Sequence, residues 1–109
     1  MRWDVRYTKA AKKDIRSLHE PIIGHVFKAI ERVSTNPLPT TEGGYGKPLG
    51  NKRGNNLTGL MKVKLRGDGI RIVYKLERTE HMMRIIIVSV RDDYAVYNEA
   101  AKRIANGRD

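Results

Sequence analysis

Lys62, Lys64, Arg66, Arg71 and Lys75 fall within sixteen residues, LMKVKLRGDGIRIVYK from Leu60 to Lys75. Successive side chains of a strand point to opposite faces. Lys62, Lys64 and Arg66 therefore share one side of a first run, while Met61, Val63 and Leu65 share the other. After the turn, Arg71, Val73 and Lys75 alternate with Ile70, Ile72, Tyr74 and Leu76. Like charges facing one another across strands are destabilising, so this row is not there for stability alone. It is either a solvated outer face or a surface that binds a polyanion.

Other chemistries are poorly supplied. There is no cysteine, which excludes disulfides, thiolate catalysis and cysteine-zinc sites. His19, His25 and His81 are scattered over different elements without metal-ligand spacing. The adjacent acids Asp92 and Asp93 read as helix-start residues. No Walker loop or GxGxxG occurs, and the glycines near position 43 lack the required context. No metal and no cofactor is indicated. Arg91 falls where a buried strand ends and the last helix begins, a common place to present a side chain to a cleft. Tyr97, near the start of that helix, suits either core packing or base stacking, with Tyr94 as a rival for the same role.

The elements that position these residues follow from pattern and punctuation. Asp68-Gly69 is a favoured two-residue type I′ loop. It predicts a hairpin in which Gly67 faces Ile70, Arg66 faces Arg71, Leu65 faces Ile72, Val63 faces Tyr74 and Met61 faces Leu76. Upstream, WDVRYT predicts a strand over Trp3–Tyr7. Thr8 caps a helix with Ala11, Ile15 and Leu18 as its apolar stripe. Pro21 opens a second helix on which Ile22, Ile23, Val26, Phe27, Ile30 and Val33 recur. Trp3 and Phe27 are assigned to the core. A Gly-, Pro- and Asn-rich stretch from Thr35 to Asn56 reads as a surface loop beside the hairpin. MMRIIIVSV, which follows the hairpin, predicts a third and more apolar strand that is buried. The last helix turns Val96, Ala100 and Ile104 inward and has Gly107 near its end. The order is β-α-α-β-β-β-α. That is an α+β fold with a helical hairpin packed on a four-stranded, largely antiparallel sheet, closed by a C-terminal helix.

At 109 residues the chain reads as one domain, 1–109. The net charge is +10. Eight basic residues between Lys47 and Lys75 stand against one acid, Asp68, so that segment carries +7 of the total. An acidic partner follows: nucleic acid, an anionic membrane surface or an acidic protein. No apolar run approaches the roughly 20 residues of a membrane span, and MRWDVRYTKAAKK lacks the apolar core of a signal peptide. A soluble cytoplasmic protein with no membrane partner is the expectation.

KPLGNKRGNNLTGLMKVKLRGDGIRIVYK followed by IIIVSVRDDYAVYNEAAKRI resembles the bacterial RelE/ParE toxin superfamily, and within it the RelE branch. The likeness runs from the first strand to the last helix and is strongest in KVKLRGDGIRIVY and EAAKRI. It implies the toxin of a type II toxin–antitoxin system. Such a toxin is a ribosome-dependent endoribonuclease (an mRNA interferase) that cuts messenger RNA in the ribosomal A site without a metal, inhibiting translation. It also implies an acidic RelB-like antitoxin as partner, besides the ribosome and its message. Lys62, Lys64, Arg71, Arg91 and Tyr97 match the catalytic positions of the family's lysine- and arginine-rich members. The sequence departs by lacking two residues, typically Gly-Lys, just before Arg91, and the histidine–glutamate pair of other members is not matched. ParE-type members share the fold and poison DNA gyrase without being enzymes, which is the alternative reading. An inactive RNA-binding module is a third.

The residue types suit the implied reaction. Cleavage needs a base for the 2′-hydroxyl, a clamp for the charge developing on phosphorus and an acid for the leaving oxygen. A lysine among cationic neighbours is favoured as base, which assigns Lys64. Arg71 with Lys62 holds phosphate oxygens, Arg91 acts at the leaving group and Tyr97 stacks on a base. Lys47, Lys52, Arg53, Arg66 and Lys75 are assigned to contacts with messenger or ribosomal RNA.

Overall fold

The computed structural model describes residues 2–52, 54–90 and 92–106. Strand β1 (Asp4–Tyr7) leads into helices α1 (Lys9–Arg16) and α2 (Ile22–Val33). Strands β2 (Lys47–Lys52), β3 (Asn55–Leu65), β4 (Ile70–Glu77) and β5 (Met82–Ser89) follow, then helix α3 (Asp93–Asn106). The strands form one sheet in the order β1-β5-β4-β3-β2. Neighbours from β2 to β5 are antiparallel, and β1 joins β5 in parallel. The α+β class and the order of helices agree with the sequence reading. The strand count does not: among the described residues there are five strands, because Lys47–Lys52 pairs with β3. That strand lies inside the stretch read as a loop, and its glycine, proline and lysines hide it from any apolar alternation.

Each face of the sheet carries its own apolar cluster. On one face Ala11, Ile15, Val26, Ile30 and Val33 of the helical pair pack on Met61, Ile70, Ile72, Tyr74, Met83, Ile85 and Val88. Helix α1 starts cleanly because the Thr8 hydroxyl accepts from the Ala11 N–H at 3.0 Å. On the other face Val96 and Ala100 of α3 lie on Leu49, Leu57, Leu60, Val73, Ile86 and Ile87. Two irregularities bring both members of neighbouring apolar pairs into use. Pairing of β4 with β5 shifts between Val73 and Tyr74, so Ile86 and Ile87 both serve the α3 face. A second shift between β2 and β3, with Gly59 at φ +90°, turns Leu57 to the same side as Leu60.

The segment between α2 and β2 is held tightly. Gly46 donates to the Leu38 carbonyl and Tyr45 to that of Asn36, while the buried Tyr74 hydroxyl donates to Pro37 O at 2.6 Å. Burial pushes the Tyr74 phenol far above its usual range. A Cβ on Gly46 would come within 2.2 Å of that hydroxyl, so only glycine fits there.

Three further expectations are corrected. The hairpin turn has four residues, Arg66 to Gly69, and pairs Leu65 with Ile70, Lys64 with Arg71, Val63 with Ile72 and Met61 with Tyr74. Gly69 at φ +67° helps close the turn, and Asp68 is tied to His25 of α2 at 2.9 Å. Phe27 is exposed, meeting Tyr7 edge-on rather than entering the core. Ile104 is exposed as well, because the end of α3 runs past the apolar patch. Gly107 lies outside the described residues. Among the described residues no helix is long and apolar enough to cross a membrane.

Candidate active site

The basic row of the hairpin lies on the face that α3 covers. In the observed register Lys47, Lys62 and Val73 stand in one cross-strand line, and Lys64, Arg71 and Ser89 in the next. Four of the residues singled out in the sequence therefore gather on adjacent strands. Lys64 is directly opposite Arg71, closer than the diagonal position the shorter loop implied. The slip is by two residues, which preserves the face of every side chain.

Helix α3 closes the cluster. Lys62 Nζ donates to the Tyr97 hydroxyl at 2.8 Å and sits 5.4 Å from the ring centroid. It also reaches Asp93 Oδ2 at 3.4 Å. Arg71 donates through Nε to Asp93 Oδ1 and through Nη1 to the Gly69 carbonyl at 3.3 Å. The Lys62 and Arg71 side chains are 10% and 15% exposed, against 40% for Asp93. Burial works upward on the Asp93 carboxyl, but the Arg71 hydrogen bond and the charges of Lys62 and Arg71 outweigh it. The net result lies below the usual carboxylate range.

Beside the cluster is a cleft of about 780 Å³ lined by Arg71, Asp92, Asp93, Tyr94, Asn98, Glu99 and Lys102. Tyr94 is exposed at its rim. Asp92 does the capping expected of it, accepting from the Ala95 N–H at 2.9 Å.

The remaining candidates divide. Lys64 is exposed next to Arg71, and Arg66 is exposed in the turn. Lys75 lies on the same face, four residues farther along β4, opposite Arg84 of β5. Lys52 sits at the other end of β2, opposite Asn55, and does not join the group. Arg53 and Arg91 lie outside the described residues.

Asp93 is the functional candidate that the sequence reading passed over. Reading it as a helix-start residue accounts for its position but not for its partners. The available signal was its spacing: on a helix, residues four apart share a face. A tyrosine placed over the basic row brings the acid four residues before it to the same row.

No family model matches the sequence. A RelE-like toxin protein of Escherichia coli is 27% identical over 105 residues, covering 95% of this chain and 99% of that protein. A doubly substituted Escherichia coli RelE toxin, solved in the free state, is 26% identical with a TM-score of 0.71. It covers 95% of this chain and 99% of its own. The RelBE2 toxin–antitoxin complex of Mycobacterium tuberculosis gives 24% identity and a TM-score of 0.68, covering 85% of this chain and 95% of the matched chain.

Proposed function

We propose, for a chain that belongs to the RelE toxin family by its sequence and its fold, that it is the toxin of a toxin–antitoxin system. We take it to inhibit translation as an endoribonuclease acting on messenger RNA in the ribosomal A site. One observation carries the reading: Lys62 and Arg71 hold the Asp93 carboxylate on one sheet face, with Tyr97 bonded to Lys62 and Lys64 opposite Arg71. A site that holds a carboxylate with two cations offers the charge-assisted bonds that phosphate oxygens need.

In this reading the ribose 2′-oxygen attacks the adjacent phosphorus while its proton passes to Lys64, the exposed lysine of the cluster. The bond from phosphorus to the 5′-oxygen breaks, leaving a 2′,3′-cyclic phosphate and a 5′-hydroxyl. Arg71 and Lys62 hold the phosphate oxygens as negative charge builds, a contribution of about 2.7–4 kcal/mol for one such donor. The Lys62 bond fixes the Tyr97 ring for stacking against a base. Arg91 offsets the negative charge on the leaving oxygen, which takes its proton from water to become the 5′-hydroxyl. Lys47, Lys75 and Arg66 extend the positive surface along the RNA strand, and Lys52 and Arg53 serve ribosomal RNA.

An acidic antitoxin of the RelB type is the proposed protein partner. The matched structures of RelE-type toxins include complexes with RelB. The charge of +10 favours fast, salt-sensitive association with an acidic chain.

The test is to incubate the protein with ribosomes programmed with a defined message and to map the RNA ends. Cuts within the A-site codon with cyclic-phosphate and 5′-hydroxyl ends are expected. Intact message together with cleaved DNA accumulating in a gyrase assay would turn the reading to the ParE-like alternative.

A further inference from the structure

Asp93 does more than complete a charge pair. It stands in the first turn of α3 and places one oxygen on Arg71 and the other on Lys62. A phosphodiester presents the same formal charge and the same pair of oxygens. Both cations are nearly buried, and the carboxylate is the accessible member of the group. The adjoining cleft adds Asp92, Glu99 and Lys102 to its lining.

Building on the ribonuclease reading, we propose that Asp93 is a specificity-determining residue whose carboxylate occupies the Lys62–Arg71 phosphate site of the unliganded protein. RNA must displace it. The exchange conserves charge, and the released carboxylate remains at a helix N-terminus, where negative charge is favoured. Free RNA at ordinary concentration competes poorly with a ligand tethered to the same chain. RNA held in place by a docked ribosome reaches an effective concentration high enough to win. Asp93 thereby directs the enzyme away from free RNA and toward a message presented by a scaffold.

The experiment compares wild type, Asp93→Asn and Asp93→Ser, the last keeping a short polar group suited to the first turn. Binding is measured by anisotropy with a 2′-O-methyl RNA oligonucleotide, which cannot be cut, over a series of salt concentrations. Cutting is measured on free RNA and on programmed ribosomes. The neutral variants should bind the oligonucleotide about tenfold more tightly, the scale of one charge-assisted bond. Their salt slope should be steeper by roughly 0.7, one additional phosphate contact on a single strand. The ratio of free-RNA to ribosomal cutting should rise with them. Unchanged oligonucleotide affinity in folded variants, with only a lower melting temperature, would overturn the proposal and make Asp93 a strut. Tighter oligonucleotide binding with no cutting by any of the proteins would support the occupied anion site while removing the ribonuclease reading beneath it.

Discussion

The two ends of α3 are fastened to the sheet by opposite charge balances. At the C-terminal end one guanidinium, Arg103, meets two acids. Its Nη1 and Nη2 reach Asp14 at 2.7 and 3.1 Å, and its Nε reaches Glu99 at 2.9 Å. It also donates to the Ile86 carbonyl, while Asp14 accepts from the Val88 N–H at 3.0 Å. Burial disfavours the Arg103 charge, but its carboxylate partners more than compensate and raise its pKa. At the N-terminal end one acid, Asp93, meets two cations. In the first arrangement the acids outnumber the cation. The second carries surplus positive charge and an exchangeable anion. A staple and a proposed binding site thus use the same bonds, and the ratio of acids to cations separates them.

The largest effect should come from cutting into the surplus. Arg71→Ala is expected to lower cleavage on programmed ribosomes by about 100- to 1000-fold, with the fold retained by circular dichroism. Arg78→Ala should stay within about twofold. Arg78 forms an exposed pair with Glu42, and such pairs contribute about 0–1 kcal/mol. Equal loss in the two variants would remove Arg71 from the site.

Breaking the staple should register in stability instead. Arg103→Met leaves Asp14 partly buried without its guanidinium, a change that costs about 3 kcal/mol, read by urea denaturation. Pairing it with Asp14→Asn should recover part of that loss. A purely additive double variant would show that the two residues do not act as a unit.

A smaller effect separates the ends by pH. Because the folded-state pKa of Asp93 is depressed, its pairing contributes stability above the usual carboxylate range. That contribution fades as pH falls through the folded value. Wild type should lose more stability than Asp93→Asn between about pH 5 and pH 2. Parallel stability curves for the two proteins would contradict the depressed value.

The smallest effect is expected beyond the staple. Ile104→Ser should change stability by no more than about 0.5 kcal/mol, since the side chain is exposed. A larger loss would mean that α3 is held farther along than its apolar contacts indicate.

Alternation was sufficient to locate most of the sheet and to say which side chains share a face. Met61, Ile70, Ile72 and Tyr74 entered one cluster and Lys62, Lys64 and Arg71 the opposite face, as read. It could not fix the pairing, because a slip of two residues leaves the pattern unchanged while moving Lys64 from diagonal to directly opposite Arg71. The observed register comes with a contact between the turn and a distant histidine on α2, which no local window contains. Strand β2 escaped for a related reason: Leu49 is its one buried side chain, so pairing rather than burial defines it. Phe27 and Ile104 are exposed although helical period places them with buried neighbours, because period alone does not say what lies opposite. Asp93 was overlooked because helix-start acids already had a sufficient local explanation, and its second role appears only when α3 is set against the hairpin.

The parallel pairing of β1 with β5 has a consequence in time. Tyr7 aligns with Ile85, so the first strand acquires its neighbour only after most of the chain has been made. At translation rates of about 5–20 residues per second, that wait is several seconds. For most of it the apolar stripes of α1 and α2 lack the strands they will cover, β3 and β4 coming only shortly before β5. Pairings this distant in sequence also slow folding after release. The cationic pocket matures later still, since Tyr97 and Asp93 follow every strand. The chain therefore gains its shape before its chemistry, and the residues that would act on RNA come together as the last helix docks.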